Sequence, residues 1–406
     1  MALFIFYQAL VTIGILWVLW NFSRNLKDLI PLENFRDFPI SREPLISVLV
    51  PARNEERNIR RCIESLLSQD YQNLEIIVLD DQSTDRTGEI LKELQGKYSG
   101  NRLKIIEGKH LPQGWLGKNF ACHQLSQEAE GDFLLFVDAD TWLSPDAVRA
   151  GLSALEKTKS DFLSLFPGEV TGTIWERMVV PFLHFAPMCF LPMSLIRKSP
   201  NPLISIAIGQ FMMFRRSAYR GIGGHAGVKS EVVEDIALSR RIKEFGFSPL
   251  FLDGGSMVSC RMYRNFKEVW LGFSKIIFAV FKFRLIPLLV AMSLFDALFL
   301  FPFFYLLRLF FHPGYPEVVN LMILLQISAI FLLRMIHSYR FKNPGGAVLH
   351  PFSVINLNLI ALFSAYLHVS GKGVIWKGRK YRTVAEDDFP LDAEEEEESL
   401  PSDLKG

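Results

Sequence analysis

Short apolar runs alternate with amphipathic segments between residues 45 and 140. "LISVLVP" (45–51), "LEIIVLD" (74–80), "LKIIEG" (103–108) and "FLLFVDAD" (133–140) are strand-like, and the stretches between them carry apolar residues at helical spacing. That alternation predicts an α/β domain, a mostly parallel sheet flanked by helices. The first helix is the best marked. Asn54 is placed to cap it, Glu55 and Glu56 suit its first turn, and Ile59, Cys62, Ile63, Leu66 and Leu67 form one face. A later helix is expected to take Ser144 as its cap and Pro145 at its first position.

A different pattern, continuous rather than periodic, occupies both ends. Ala2 to Trp20 is apolar over about the 20 residues that cross a bilayer, with Trp17 and Trp20 at its end as interface anchors. It has neither a basic leading region nor a small-residue cleavage site, so a removed signal peptide is not expected. Arg24 and Lys27 follow it and would hold that end in the cytoplasm.

Three more membrane segments are expected at Leu285 to Leu307, Val318 to Leu333 and Ala347 to Ser370. Asp296 and Pro302 interrupt the first, while His350, Pro351, Asn356 and Asn358 sit in the last. Three full crossings would put the basic stretch "GKGVIWKGRKYR" (371–382) outside, against the charge rule, so one segment is expected to be re-entrant or interfacial. The proline-broken run 178–196 and the aromatic, lysine-bearing run 269–283 also read as interfacial.

The expected organisation is a transmembrane helix (1–30), a cytoplasmic catalytic domain (31–268), an interfacial helix (269–284), C-terminal membrane segments (285–370), and a basic then acidic tail (371–406), partly disordered. This implies a multi-pass protein of the cell (inner) membrane. Composition adds limits. Half of the 406 residues are apolar and 13% are aromatic, enough for a sizeable core. With 44 basic and 43 acidic residues the net charge is +1, so no global field attracts nucleic acid, which is not an expected partner. Cys62, Cys122, Cys189 and Cys260 lie far apart without a CxxC pair, as expected of buried thiols rather than a zinc site or disulfides.

Function enters through position, because ligands of such sheets gather at the carboxyl ends of the strands. Acidic clusters follow three of the runs: "PARNEE" (51–56), "DDQSTD" (80–85) and "DAD" (138–140). Glu55 and Asp85 could simply favour a helix dipole. Asp138 and Asp140 have no such role if Ser144 is the cap, and two carboxylates without a structural task suit a hard cation completed by phosphate oxygens. There is no GxxxxGK[ST] loop, and "GIGGHA" (221–226) follows "RRSAYR" rather than a strand, so neither ATP hydrolysis nor a dinucleotide fold is expected.

With "VED" (233–235) and "RMYR" (261–264) added, these motifs over roughly residues 45 to 285 resemble the membrane-anchored family 2 glycosyltransferases of the GT-A fold. "GWLGKNFAC" (114–122) and "WKGRKY" (376–381) resemble the branch acting on hopanoids, carotenoids or ceramide. The resemblance implies that Pro51, Arg53, Glu55, Asp80 and Asp81 contact the nucleoside, one of the two aspartates reading the uracil ring. It implies that Asp138 and Asp140 hold Mg²⁺ or Mn²⁺ against the sugar diphosphate, and that Lys118 neutralises phosphate charge.

Glu234 and Asp235 match the acidic pair whose aspartate is the general base of inverting members, although the pair could instead open a helix. Arg261 and Arg264 stand where the family usually has Gln-x-x-Arg-Trp; arginine can still clamp phosphate, but the tryptophan is missing. The implied reaction is transfer of a single sugar from a nucleotide-diphosphate donor, a UDP-sugar, to a lipid hydroxyl. The alternatives are a polysaccharide synthase and a non-catalytic nucleotide-sugar binding protein.

Overall fold

The computed structural model describes residues 1–40, 42–98, 102–311, 314–343 and 345–381. Its strands are β1 (Ile46–Ala52), β2 (Leu74–Asp80), β3 (Leu103–Glu107), β4 (Phe133–Phe136), β5 (Thr141–Leu143), β6 (Phe162–Phe166), β7 (Gly168–Glu169), β8 (Met212–Arg215), β9 (Pro249–Asp253), β10 (Val258–Cys260), β11 (Val374–Trp376) and β12 (Arg379–Tyr381). Seven of them form the main sheet, in the order β3-β2-β1-β4-β8-β6-β9. Only β8 opposes its neighbours; it runs antiparallel to β4 and β6, while every other pairing is parallel. β5, β10 and β7 make a small second sheet, and β11 and β12 a hairpin.

The helices are α1 (Ala2–Asp28), α2 (Ile59–Leu67), α3 (Thr87–Lys97), α4 (Gly117–Glu128), α5 (Ala147–Thr158), α6 (Ile174–Val179), α7 (Phe182–Phe190), α8 (Met193–Lys198), α9 (Arg216–Gly221), α10 (Glu234–Glu244), α11 (Phe266–Val280), α12 (Leu285–Phe299), α13 (Phe301–Phe311), α14 (Glu317–Arg340) and α15 (His350–Val369). The strands read as continuous apolar runs because both faces of the sheet are covered. Val48 and Val50 join Ile59 and Ile63 of α2 and Leu155 of α5, while Leu49, Ile77 and Leu79 join Leu125 of α4 and Ile242 of α10. This mixed α/β sheet with flanking helices matches the expected GT-A arrangement.

Two helix starts differ from expectation. α2 begins at Ile59, after Asn58, and Asn54 instead takes a left-handed conformation (φ 52°) with its side-chain oxygen accepting from the Thr84 amide at 2.8 Å. The asparagine ties two site loops together rather than capping a helix. α5 begins at Ala147 behind Asp146, because "TWL" first forms β5; Ser144 donates to Asp146 at 2.6 Å and caps nothing itself. All four cysteines are buried and unpaired, as expected.

α1, α14 and α15 are long and apolar enough to cross a membrane. α1 runs past Trp20, and the polar residues at its end are satisfied by the proline-broken run: Asn21 donates to the Cys189 carbonyl at 2.8 Å, and Asn25 to those of Met188 (2.8 Å) and Leu191 (2.6 Å). The expected segment 285–307 is broken at Leu300 into α12 and α13, and α12 is bent by 110° from α11. α11 starts three residues before the expected interfacial run, where the Asn265 side chain accepts from the Glu268 amide at 2.9 Å.

Candidate active site

Parallel pairing brings the ends of β1, β2 and β4 to one edge of the sheet. Pro51 lies one residue before the end of β1, Asp80 closes β2, and Asp138 and Asp140 flank the turn after β4. The loops after β1 and β2 interlock. The Arg53 guanidinium donates to the carbonyls of Asp81 (2.5 Å) and Gln82 (3.0 Å), and the Glu55 amide to the Thr87 hydroxyl (2.7 Å). Asp80 accepts from the Ser83 amide at 3.0 Å, and Glu55 from Asn58 at 2.9 Å. Asp85 fixes the start of α3 through the Thr87 amide at 2.9 Å, which accounts for it structurally.

α4 and α10 bring charge to this edge from the other face. The Lys118 ammonium lies 2.8 Å from Asp138 and 2.8 Å from Glu234. Burial would lower the Lys118 pKa, but Asp138 and Glu234 outweigh it and hold it well above the ordinary lysine value. Burial raises Glu234, yet Lys118 and Lys275 bring it below the usual glutamate range. At Asp235, the next residue, Lys118 is outweighed: burial and then the neighbouring Glu234 push its carboxyl up to about 7. The pair does open α10, but adjacent carboxylates driven in opposite directions are also the mark of an acid–base site.

Asp140 is likewise pushed up to about 7, by burial first and then by Glu55 and Asp138. It lies beside the Cys260 thiol (3.4 Å), and its carbonyl accepts from the Arg261 amide at 3.3 Å. Asp138 and Asp140 supply hard oxygen ligands of the type Mg²⁺ or Mn²⁺ takes. Among the described residues no group of three or more His, Cys, Asp or Glu is arranged to hold a metal by itself. The two carboxylates therefore fit a cation only as part of a set that a bound ligand completes.

The arginines after β10 are both engaged by protein side chains. Arg261 pairs with Glu176 of α6 (3.2 and 3.3 Å), and Arg264 donates to the Asn58 side chain at 2.8 Å. "GIGGHA" forms a turn after α9 with Gly223 and Gly224 at positive φ, not a strand-to-helix phosphate loop.

Several site residues escaped the sequence reading. A Cβ on Gly209 would stand 2.9 Å from the Lys118 ammonium and 3.4 Å from Asp138, so the glycine leaves the face of the charged triangle open. Glu169 in β7 has both carboxylate oxygens buried without a hydrogen-bond partner; burial and then Asp140 hold its pKa well above the ordinary value. Most unexpectedly, the β11–β12 hairpin lies over the β1 and β2 loops. Lys377 pairs with Glu55, Arg379 pairs with both oxygens of Asp81 (2.8 Å for one of the two contacts), and Arg53 Nε donates to the Lys377 carbonyl at 2.9 Å. "WKGRKY" had pointed to a branch of the family, not to a place in the fold.

The chain is similar to several known glycosyltransferases. A 4,4'-diaponeurosporenoate glycosyltransferase of Staphylococcus haemolyticus is 29% identical over 233 residues, 57% of this chain and 60% of that protein. Its counterpart from Staphylococcus aureus (strain USA300) is 26% identical over 237 residues, with the same coverage. The chain thus spans about 60% of the length of these curated relatives.

Among solved structures, a mannosyltransferase from Pyrobaculum calidifontis in complex with GDP-Man and Mn²⁺ aligns with a TM-score of 0.48 at 15% identity, covering 89% of this chain and 92% of that one. Staphylococcus aureus TarS with UDP-GlcNAc aligns at 0.39 and 16%, covering 86% and 99%. Residues 47–223, from β1 through α9, match the family model for glycosyl transferase family 2.

Proposed function

We propose that the chain transfers one sugar from a nucleotide-diphosphate sugar, a UDP-sugar, to a lipid hydroxyl at the membrane surface, with inversion. The observation that carries this reading is the Lys118 bridge between Asp138 and Glu234, which sets a diphosphate-side charge beside the neutral-range carboxyl of Asp235. Asp235 takes the acceptor proton as the acceptor oxygen bonds to the anomeric carbon. The bond from that carbon to the phosphate oxygen breaks, and the nucleoside diphosphate leaves with the electron pair. A positioned base contributes about 10²–10⁴ in rate. Glu55, Asp80 and Asp81 line the nucleoside end, and Lys118 faces the diphosphate. Mg²⁺ or Mn²⁺, held by Asp138 and Asp140, would supply charge neutralisation on the leaving diphosphate.

A lipid acceptor is supported by the surroundings and by relatives named for glycosylating diaponeurosporenoate. The proposed topology keeps the site on the cytoplasmic side of the cell membrane. α14 runs from Glu317, just after Tyr315, which stacks 5.1 Å from Phe4 at the start of α1, to Arg340, paired with Asp253 at the end of β9. α15 begins and ends at the catalytic domain: Asn343 before it donates to the Arg177 carbonyl at 3.3 Å, and the hairpin after it reaches Glu55. It is therefore α15, packed along α11 through Trp270 and Phe363 (5.7 Å), that lies at the interface rather than crossing.

The test is incubation of the purified protein with a panel of UDP-sugars, MgCl₂ or MnCl₂ and total lipid extract, followed by mass analysis. A lipid gaining one hexose is expected. A ladder of products would make the chain a polysaccharide synthase, and no consumption of any donor would remove the enzymatic reading.

A further inference from the structure

We propose that the hairpin formed by β11 and β12 is a wall of the donor site, with Lys377 as a donor-binding residue and Arg379 as the anchor that positions it. This rests on the reading of the edge as a nucleotide-sugar site.

The hairpin follows the last long helix, 322 residues after Glu55 and 298 after Asp81 at its two ion pairs, and its contacts with those loops are specific. Arg379 forms a two-oxygen pair with Asp81, the geometry that makes arginine–carboxylate contacts directional. Its guanidinium passes over the start of α4, where a Cβ on Gly117 would collide with it. Gly117 thus leaves a slot that Arg379 fills, one residue from Lys118. Arg53, already bound to the carbonyls of Asp81 and Gln82, also holds the Lys377 carbonyl, so the hairpin backbone is fixed at a second point. The loops after β1 and β2 and the start of α4 therefore form a seat for this hairpin.

The seat decides where Lys377 points. Its ammonium pairs with Glu55 and lies close enough to Asp140 to oppose the rise in that carboxyl's pKa. Glu55, Asp138 and Asp140 concentrate negative charge at the position assigned to the sugar diphosphate, and a donor arriving there adds more. Lys118 supplies one cation from α4; Lys377 supplies a second from the opposite side. Arg379 directs both terminal nitrogens to the Asp81 carboxylate. Its part is to lock the hairpin against Asp81.

The experiment is calorimetric titration of the full-length protein in detergent with UDP and, separately, GDP in the presence of MgCl₂. Wild-type, Lys377→Ala, Arg379→Ala and Gly117→Ala proteins are compared, together with the double variant Gly117→Ala/Arg379→Ala. Removing a charge-assisted contact should weaken nucleotide binding about tenfold in each single variant. Gly117→Ala should add little once Arg379 is gone, because both changes unseat the same hairpin. Unchanged affinity in Lys377→Ala and Arg379→Ala would overturn the proposal, and tighter binding would make the hairpin an inhibitory plug instead. Failure of the wild-type protein to bind either nucleotide would overturn the donor-site reading itself, an outcome distinct from binding that ignores the hairpin.

Discussion

Lys118 stands 2.8 Å from Asp138 and 2.8 Å from Glu234, joining the end of β4 to the first turn of α10 through one ammonium group. The lysine does more than balance charge. It holds Glu234 ionised beside Asp235 and restrains the rise of Asp235 itself. Lys118→Ala should therefore reduce transfer by about 10²–10³, the usual loss on removing a preorganised electrostatic group. It should also move the alkaline rise of the rate to higher pH. A pH–rate profile separates this from simple unfolding, which would lower the plateau without moving the midpoint.

Asp235 should act only when ionised. Its carboxyl is raised to about 7, so below that pH it already carries a proton and cannot accept another. The rate should rise with pH, level off above about 7, and disappear in Asp235→Asn while donor binding persists. Stability runs the other way. A carboxyl whose folded pKa lies above its unfolded value favours the fold at acid pH, and that contribution is lost as pH rises through the folded value. Asp235→Asn should thus melt higher than wild type at pH 8 and lose the advantage near pH 4. Full turnover by the variant would exclude Asp235 as the base.

Much of this site was legible in the sequence because its parts are local. The apolar runs fixed which turns would share an edge, and "DAD", "VED" and "DDQSTD" each sit on one such turn. What could not be read were relations set by tertiary closure. Asn54 looked like a helix cap until the β2 loop supplied Thr84 as its partner, and Ser144 lost its cap position to a strand of three residues. Gly209 carries no side chain to signal its place over Lys118. Lys377 and Arg379 belong to a segment whose basic character spoke for membrane sidedness, and nothing local ties them to Glu55 and Asp81. The acidic run 393–399 lies outside the described residues.

Metal binding should weaken below neutral pH. A carboxylate ligates a hard cation only when deprotonated, and Asp140 holds its proton up to about 7. Mn²⁺ affinity, followed by the paramagnetic relaxation of water, should fall about tenfold per pH unit below that value, one proton being displaced per ion. Asp140→Asn should remove most of this pH dependence along with much of the affinity. An affinity flat between pH 5 and 8 would place the ion elsewhere.

The proposed placement of α15 makes a prediction about sidedness opposite to the one that length and apolarity alone give, since by those criteria it is a span. Asn343 and Lys377, on either side of it, both contact the catalytic domain. The chain must therefore leave and re-enter the same face between α14 and the hairpin. Single cysteines can be introduced at the exposed positions Lys92 on the catalytic domain, Glu317 at the start of α14 and Lys372 after α15, the native thiols being buried. In sealed vesicles an impermeant maleimide should label positions 92 and 372 from one side and position 317 from the other. Labelling of 372 together with 317 would make α15 a true crossing, and the hairpin would then be unable to reach Glu55 in the membrane-embedded protein.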